Sequence, residues 1–379
     1  MLQSGDHLVN LVHPVSTEDH IESRMLWIGL RAQVDNRVRQ TTLPAHHDER
    51  EPCHYRDRDK DESHACIGSC CDHPLKRQPW IHVRLLPMPI AGPLILGRQR
   101  FEIDDRTIMA IVNRTQDSFF KGGSTFEDAD AMAAVSAAVE AGAHVIDIGG
   151  VKAGPGAEID PQEEISRTAS FVAKVRERFP DVVISVDTWR AEVGRAVCKE
   201  GADLLNDAWG GVDPGLAEVA AEFGVGIVCT HAGGQEPRTR PHRVHYDDVM
   251  AAIVDYTCAL AQRAVDLGVA LDKIIIDPGH DFGKNTAHSL EATRRLKEMV
   301  DTGWPVLVSL SRKDFVGETL GLADPNDRLL GTLAATSVSS HLGARMYRVH
   351  DVSATRQTLE MERAIAGVTR PKVARRGLA

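Results

Sequence analysis

Eight short apolar runs, each ending in polar residues, recur from residue 107 onward. They are TIMAIVN (107–113), HVIDIGG (144–150), VVISVDT (182–188), LLNDAWG (204–210), GIVCTH (226–231), IIIDPG (274–279), VLVSLSRK (306–313) and YRVHDV (347–352). Helical patterns separate them, the clearest over residues 246–268, where apolar side chains recur at steps of three and four. Apolar strands that alternate with helices are typical of a parallel sheet covered on both faces. Eight such units favour a closed (β/α)8 TIM barrel over an open doubly wound sheet, which usually has about five or six strands.

The first quarter of the chain differs in composition from the rest. Residues 1–96 hold nine of the 17 histidines and four of the seven cysteines, without a sustained period of 2 or 3.6. We therefore predict a low-order N-terminal extension over 1–96 and a barrel domain over 97–379. Candidate metal ligands in the extension are Cys53, His54, His64, Cys66, Cys70, Cys71 and His73. Zinc modules usually present two short ligand pairs around a foldable segment, so an extension without metal is favoured over a zinc site.

The charge of the chain restricts its partners. The formal net charge is -10, which disfavours nucleic acid because its binders need a basic surface to displace counterions from phosphates. No apolar run is long enough to span a bilayer, and the N-terminus lacks the pattern of a signal peptide. The seven cysteines are too scattered for a disulfide scaffold. We expect a cytoplasmic protein without a membrane or nucleic-acid partner.

Polar side chains close every predicted strand. They are Asn113, Asp147, Asp187, Thr188, Asn206, Asp207, His231, Asp277, Ser311, Arg312, Lys313, Arg348, His350 and Asp351. A single Asp or Asn at a strand end often caps the next helix or a turn, and we favour that role for Thr188 and Asp207. In a barrel, however, all these positions open onto the C-terminal face, where active sites are built. The pattern predicts one polar site at that face.

The chemistry of this set suggests a ligand with two parts. A flat heterocycle with a fixed edge of N–H and C=O groups would suit three residues, namely Asp187, Asn206 and Asp277. A phosphate or diphosphate would suit four others, namely Arg312, Lys313, Arg348 and His350. We therefore predict that the site binds a ring joined to a diphosphate.

Two glycine-rich segments fail as nucleotide motifs. In GHDFGKNT only three residues separate Gly279 from Gly283, where a P-loop needs four, and Asn285 stands where Ser or Thr is required. The glycines of GGVKAGPG, residues 149–156, do not spell G-x-G-x-x-G. Neither a P-loop nor a dinucleotide-binding fold is supported.

Seven ordered motifs resemble those of dihydropteroate synthase, the folate-pathway enzyme. They are IVNRTQDSF, DIGG, SVDTWRAEV, LLNDAWG, DPGHDFGKNT, SRKDFVG and RVHDV, and the match runs from about residue 105 to residue 366. The resemblance implies a (β/α)8 barrel that joins p-aminobenzoate to 6-hydroxymethyl-7,8-dihydropterin diphosphate and releases diphosphate, usually with Mg²⁺. It also implies a homodimer.

The resemblance assigns expected roles to the strand-end residues. The pterin ring would be held by Asp187, Asn206, Asp277 and Lys313. The diphosphate would be held by Asn113, Arg348 and His350, with Asn113 also the candidate metal ligand. Lys313 and Arg348 would be the catalytic residues of an active enzyme.

Two loops depart from the family pattern. The first loop resembles N-V-T-P-D-S-F-S-D-G-G but reads NRTQDSFFKGG, with changes at Arg114, Gln116, Phe120 and Lys121. The second resembles G-G-E-S-T-R-P-G but reads GGVKAGPG, so Glu, Ser, Thr and Arg become Val151, Lys152, Ala153 and Gly154. Losing groups that stabilise a departing diphosphate typically costs about 10² to 10³ in rate for each group. These loops therefore predict weak or lost turnover.

Three functional hypotheses follow from the sequence. The favoured one is a dihydropteroate-synthase-like protein that binds a pterin, with weak or absent synthase activity. An active dihydropteroate synthase is the first alternative, and a pterin-binding methyltransferase is the second. The methyltransferase would normally need a corrinoid partner, and the chain contains no recognisable corrinoid-binding module.

Overall fold

The protein is a barrel of parallel strands with a short hairpin at its start. The computed structural model describes residues 92–115, 127–152, 154, 156, 158–239 and 245–376. The hairpin consists of β1 (Leu94–Leu96) and β2 (Gln99–Phe101). The eight parallel strands in these residues are β3 (Thr107–Asn113), β4 (Val145–Gly149), β5 (Val183–Asp187), β6 (Leu204–Asp207), β7 (Gly226–Thr230), β8 (Ile274–Asp277), β9 (Leu307–Val308) and β10 (Met346–Val349).

The sheet closes on itself. Its strands follow the order β8-β7-β6-β5-β4-β3-β10-β9, with every neighbouring pair parallel. The edge strands β8 and β9 meet through a parallel bridge between Ile276 and Val306. Beside it, the Ile276 amide donates to the Pro305 carbonyl at 2.9 Å. The predicted (β/α)8 barrel is confirmed.

Helices follow the strands and cover the outside of the barrel. In the described part of the chain they are α1 (Asp128–Glu140), α2 (Pro161–Arg178), α3 (Ala191–Lys199), α4 (Gly215–Phe223), α5 (Val249–Asp266), α6 (Thr286–Arg294), α7 (Leu296–Val300), α8 (Asp314–Leu320), α9 (Leu329–His341) and α10 (Val352–Ile365). The helix predicted over 246–268 is α5. It begins after Asp248, whose carboxylate accepts from the amides of Met250 and Ala251.

The strands bury both of their faces, which explains why their sequences are apolar throughout. Their outer faces pack against the helices in one large cluster. Their inner faces form a second cluster with one residue from each strand: Met109, Val145, Val183, Leu204, Val228, Ile275, Leu307 and Met346. The barrel interior is therefore a packed core below the strand ends, as usual for this fold.

The hairpin seals the N-terminal end of this interior. Leu94, Leu96 and Phe101 belong to the same inner cluster as the eight strand residues. Arg345, just before β10, fixes the hairpin by donating to the carbonyls of Gly92, Phe101 and Glu102. The polar face of the barrel is thus the opposite, C-terminal end.

Two elements differ from the sequence prediction. The hairpin, which starts at Leu94, was not predicted from the sequence. The predicted strand 306–313 is observed only as Leu307–Val308. Arg312 has a φ of 58°, a left-handed conformation that cannot continue a strand.

Several predictions lie outside the described residues. They include residues 1–91 of the predicted extension, the candidate ligands between Cys53 and His73, and the loop substitutions at Gln116, Phe120, Lys121 and Ala153. Within the described residues, no helix is long and apolar enough to cross a membrane.

The hairpin seal predicts a large stability effect from one side chain. Leu96 is fully buried, so Leu96→Ala should lower the free energy of unfolding by about 2 to 5 kcal/mol, because it leaves a cavity at the base of the barrel. Urea unfolding followed by circular dichroism measures this change. The matched control is Leu271→Ala, since Leu271 is 56% exposed and should lose less than about 1 kcal/mol. Equal losses in both variants would refute the seal.

Candidate functional site

A cavity opens at the C-terminal ends of the strands. It is lined by Ile111, Asn113, Thr115, Val151, Lys152, Gly154, Asp187, Asn206, Ala208, Thr230, Asp277, Phe282, Ser309, Ser311, Lys313, Arg348 and His350. All seven residues to which the resemblance gave a binding role are in this set. The structure therefore brings the candidate residues together, while their roles stay predictions.

Arg348 is the centre of the cavity floor. Its Nε donates to Asp147 Oδ2 at 2.6 Å, and its Nη2 donates to Asp187 Oδ2 at 2.8 Å. Burial disfavours the charged guanidinium, but Asp147 and Asp187 outweigh burial and hold the pKa of Arg348 above its ordinary value. The three strands β10, β4 and β5 are thereby joined through one largely buried cation.

Asp147 lies beneath the floor and organises its neighbours. It is 0% exposed and accepts from the Ser185 hydroxyl at 2.6 Å. The Asn206 amide nitrogen approaches both of its oxygens, at 3.4 and 3.3 Å. Asn206 is therefore oriented with its nitrogen downward, which leaves its amide oxygen for a ligand above.

The two carboxylates that line the floor are held away from water. Burial raises the pKa of Asp187, and Asp147 and Glu164 add to this rise, whereas Arg348 opposes it. Burial also raises the pKa of Asp277, against the opposing effects of Lys313 and the Gly279 amide. Both groups are acceptors for N–H donors when ionised. Because their pKa values are raised, the fraction of each carboxylate that can accept from an N–H donor depends on pH.

Lys313 approaches the cavity from the loop after β9. Its ammonium donates to the His280 carbonyl and lies 4.9 Å from the centre of the Phe282 ring. Burial lowers the pKa of Lys313, and the nearby Asp281 and Asp277 oppose that decrease. An ammonium has three donors, so Lys313 keeps donors for a ligand in the cavity.

His350 is a neutral group in this site. Its Nδ1 lies 2.9 Å from the Ser311 hydroxyl. Burial lowers the pKa of His350 to about 4, and the adjacent Arg348 contributes to the decrease. At neutral pH the ring can therefore donate or accept one hydrogen bond but adds no charge for a diphosphate.

Arg312 corrects one expectation from the sequence, because it is a structural residue. Its Nε and Nη2 form a bidentate pair with the Asp351 carboxylate at 2.9 and 3.0 Å. Its Nη1 donates to the carbonyls of Pro325 and Asn326. Arg312 does not line the cavity, so it does not contribute to phosphate binding there. Asp351 is occupied by the same pair.

His231 is also directed away from the cavity. Its Nδ1 lies 2.7 Å from the buried Lys284 ammonium, which also donates to the carbonyls of His231, Gly279 and Phe282. Burial and Lys284 lower the pKa of His231 to about 3. The strand-end residue that faces the cavity is instead its neighbour Thr230, which the sequence reasoning missed.

Thr188 and Asp207 have the capping roles predicted for them. The Asp207 carboxylate accepts from the amides of Trp209 and Gly211, and the Thr188 hydroxyl accepts from the Arg190 amide at 3.3 Å. Trp209 in turn contacts Phe282 edge to face, with ring centroids 5.0 Å apart. The capped turn after β6 thus supports an aromatic wall of the cavity.

Arg114 is the first residue of the first loop that differs from the family pattern, and it does not line the cavity. Its Nη2 pairs with Asp128 Oδ1 at 2.6 Å, and its Nε donates to the Arg167 carbonyl at 3.3 Å. The guanidinium lies 4.5 Å from the centre of the Phe171 ring. Arg114 therefore ties this loop to the helix layer and supplies no charge to the site.

The second loop presents an apolar residue and one lysine to the cavity. Val151 and Lys152 both line it, and Val151 is largely buried. Arg238, from the loop after β7, donates to the Lys152 carbonyl at 2.7 Å. A Cβ at Gly156 would lie 2.3 Å from Arg238 Nη2. Arg238 therefore binds the backbone of Lys152 and lies close to Gly156.

A model of pterin binding enzymes matches residues 109–350 of this chain. A Mycobacterium tuberculosis protein named inactive dihydropteroate synthase 2 is 57% identical over 280 residues, which cover 73% of this chain and 88% of that protein. The Escherichia coli dihydropteroate synthase is 38% identical over 258 residues, covering 68% of this chain and 90% of the enzyme.

A solved structure is similar in its backbone as well. It is the dihydropteroate synthase of Xanthomonas albilineans in complex with 7,8-dihydropteroate, with a TM-score of 0.64 and 31% sequence identity. The alignment covers 73% of this chain and 100% of that chain. The match spans the barrel and the strand ends that carry the cavity.

The buried Arg348 predicts a pH-dependent loss of stability when it is removed. Arg348→Met should lower the free energy of unfolding by about 3 to 5 kcal/mol, because it leaves the buried Asp147 and the largely buried Asp187 without their cation. The pKa of Asp187 is already raised, and it should rise further in the variant. A carboxyl group whose pKa is raised in the folded state destabilises the protein increasingly as pH rises. The variant's loss in free energy of unfolding should therefore be larger at pH 7.5 than at pH 5.

Chemical unfolding at the two pH values measures this difference. The control is Arg195→Met, because Arg195 pairs with Glu222 on the surface with exposures of 44% and 51%. Its loss should stay below about 1 kcal/mol at both pH values. A deficit in Arg348→Met that shrinks as pH rises would contradict the buried bridge.

Proposed function

Because this chain belongs to the pterin-binding enzyme family, we propose that it binds a reduced pterin and has weak or absent dihydropteroate synthase activity. The observation that carries the proposal is a contrast within one cavity. The floor holds Asp187, Asn206 and Asp277 around the buried Arg348. The second loop offers only Val151, Lys152 and Gly154 among its described residues. Ring binding and group transfer depend on these two parts separately.

The floor fits a pterin ring by its hydrogen-bonding groups. Asp277 Oδ1 accepts from the Gly279 amide at 2.7 Å, which fixes the carboxylate and leaves its other oxygen for a ligand. Asn206 offers an amide oxygen and Lys313 an ammonium. A pterin presents N–H donors beside a carbonyl along one edge, which suits carboxylate acceptors and a cationic donor.

The proposed diphosphate end is weaker than the sequence suggested. Arg348 commits one N–H to Asp147 and another to Asp187, and His350 is neutral because burial lowers its pKa to about 4. Arg312 is engaged by Asp351. Cleavage of a C–O bond to diphosphate needs positive charge already in position, and each missing group typically costs about 10² to 10³ in rate.

The second loop adds to this deficit. In the family pattern this loop carries Thr and Arg where this chain has Ala153 and Gly154. Lys152 brings one positive charge to the cavity wall, but an ammonium is a point charge and does not reproduce the bidentate fork of arginine. We therefore propose that p-aminobenzoate, if it enters the cavity, is joined to the pterin slowly or not at all.

Magnesium fits this site only if the diphosphate supplies most of its ligands. Among the described residues, no group of three or more His, Cys, Asp or Glu side chains could hold a metal ion. Asn113 lines the cavity, and its amide oxygen suits a hard cation. We propose Asn113 as one protein ligand of a Mg²⁺ otherwise bound by diphosphate and water. Bound Mg²⁺ would neutralise charge on the phosphate oxygens.

A homodimer through α9 and α10 is also proposed. Val338, Met361 and Ile365 are exposed by 50%, 61% and 75%, and they line one groove between these helices. Such an apolar face on outer helices would bury its surface against the same face of a second copy. His341 and Glu362 lie in the same groove and would form its polar edge.

We further propose a cytoplasmic location. In the described part of the chain Cys198, Cys229 and Cys258 are free thiols. Free buried thiols are usual in proteins of reducing compartments.

The proposal predicts that binding and turnover can be separated. The wild-type protein should bind 6-hydroxymethyl-7,8-dihydropterin in calorimetry, while making little or no dihydropteroate from the pterin diphosphate, p-aminobenzoate and Mg²⁺. Restoring the loop with Ala153→Thr and Gly154→Arg should raise turnover at least about tenfold, because it returns a guanidinium to the departing diphosphate. Product formation from labelled p-aminobenzoate measures the rate.

The control replaces Gly154→Arg by Gly154→Lys in the same background, which restores charge without the fork and should restore less activity. Steady wild-type turnover at the roughly 1 to 10³ s⁻¹ of ordinary enzymes would favour the alternative, an active dihydropteroate synthase. That alternative is supported by the complete set of ring-binding residues. Absence of binding by any reduced pterin would remove the pterin-binding proposal itself.

The proposed dimer face predicts a change of mass on substitution. Val338→Asp combined with Met361→Asp should convert a dimer into a monomer, because it places charges in the apolar contact. Light scattering after size-exclusion chromatography measures the mass. Val212→Asp serves as the control, since Val212 is 48% exposed outside this groove and should leave the dimer intact. A dimer that survives the double substitution would exclude this face.

A further inference from the structure

Thr230 is the inward-facing residue at the end of β7. Its Cα partner on β8 is Asp277, and two residues earlier Val228 belongs to the core inside the barrel. Side chains alternate along a strand, so Thr230 faces the same way as Val228, one layer higher. It lines the cavity together with Asn206 and Asp277.

The hydroxyl of Thr230 is buried without a partner. Thr230 is 1% exposed, and within the described part of the chain its Oγ1 has no hydrogen-bond partner. Buried threonines on helices can bond a carbonyl of their own helix, as Thr168 does to Glu164 and Thr257 to Ile253. Thr230 lies on a strand, whose carbonyls are used by the sheet. A buried polar atom with no partner is rare and needs an explanation.

The position of this atom supplies the explanation. It lies in the cavity wall between an amide and a carboxylate that already have partners: Asn206 contacts Asp147, and Asp277 accepts from Gly279. The groups beside it are therefore fixed, whereas the threonine hydroxyl can rotate to donate or to accept. A ligand in the cavity can supply the missing hydrogen bond.

We propose that Thr230 is a specificity-determining residue whose hydroxyl bonds a nitrogen or oxygen on the edge of the bound ring. This inference rests on the proposed pterin-binding function and deepens it. A ring with carbon or a methyl group at the edge facing β7 would leave the hydroxyl unpaired. Sites with buried polar groups reject such analogues strongly, because the unpaired group loses its hydration without compensation.

The proposal has a signature that a structural threonine would not give. Thr230→Val keeps the shape of the side chain and removes only the unpaired hydroxyl. Without ligand, the variant should be as stable as the wild type or more stable, because a buried polar group without a partner is removed. With ligand, it should bind more weakly. A threonine that supports the fold would instead lose stability and leave affinity unchanged.

The test combines calorimetry with thermal unfolding on the whole chain. The probe is 6-hydroxymethyl-7,8-dihydropterin, and the variants are Thr230→Val, Thr230→Ser and the control Thr257→Val. Thr230→Val should lose about tenfold to a hundredfold in affinity with no decrease in Tm. Thr230→Ser keeps the hydroxyl and should stay within about threefold of the wild type. Thr257→Val should lose Tm and keep its affinity.

The partner atom on the ring is then identified with pterin analogues that each lack one polar edge atom. For one analogue, the loss caused by Thr230→Val should disappear, since the bond is already missing. Additive losses for every analogue would overturn the hydrogen bond.

The remaining outcomes separate the two proposals. Unchanged affinity in Thr230→Val would overturn the role of Thr230 while pterin binding stands. A joint loss of affinity and Tm in that variant, or a loss in Thr230→Ser as large as in Thr230→Val, would also overturn it. Absence of pterin binding by the wild type would remove both proposals together.

Discussion

The buried bridge from Asp147 through Arg348 to Asp187 is the interaction on which the site depends. It joins β4, β10 and β5 inside the barrel, with N–O distances of 2.6 and 2.8 Å. Removing Arg348, or removing the two carboxylates, would leave uncompensated charge at the C-terminal end of the barrel interior. The bridge fixes Asp187 directly, and Asp147 orients Asn206 from below. The proposed ring-binding floor is thereby part of the rigid sheet.

The loops are independent of this bridge, which is why they can change without loss of the fold. Arg114 is accommodated in the helix layer by Asp128 and Phe171, and Lys152 is held through its carbonyl by Arg238. Neither contact involves the floor. Because the loops and the floor are held by separate contacts, the loops can lose the groups that assist a departing diphosphate while the pocket stays formed. Binding and chemistry would then depend on different structural elements.

The sequence was sufficient for the barrel and for the face that carries the site, because buried parallel strands and polar strand ends leave clear patterns. The sequence was insufficient where two neighbouring residues are both polar and only one of them faces the cavity. Both faces of each strand are apolar, so the pattern does not distinguish Thr230, which faces the cavity, from His231, which does not. Likewise Lys313 lines the cavity, whereas the left-handed backbone of Arg312 turns that side chain to Asp351. The hairpin was missed because its barrel contacts are distant in sequence.

The energetics of the floor bear on the proposed binding of a ring. Buried carboxylates with raised pKa values, at Asp187 and Asp277, oppose folding at neutral pH, and the unpaired hydroxyl of Thr230 adds a further cost. Apolar residues of similar volume in such positions are often neutral or stabilising. A scaffold without a ligand would gain stability from those replacements. In the proposed function, a bound ring satisfies these groups with its own donors and acceptors.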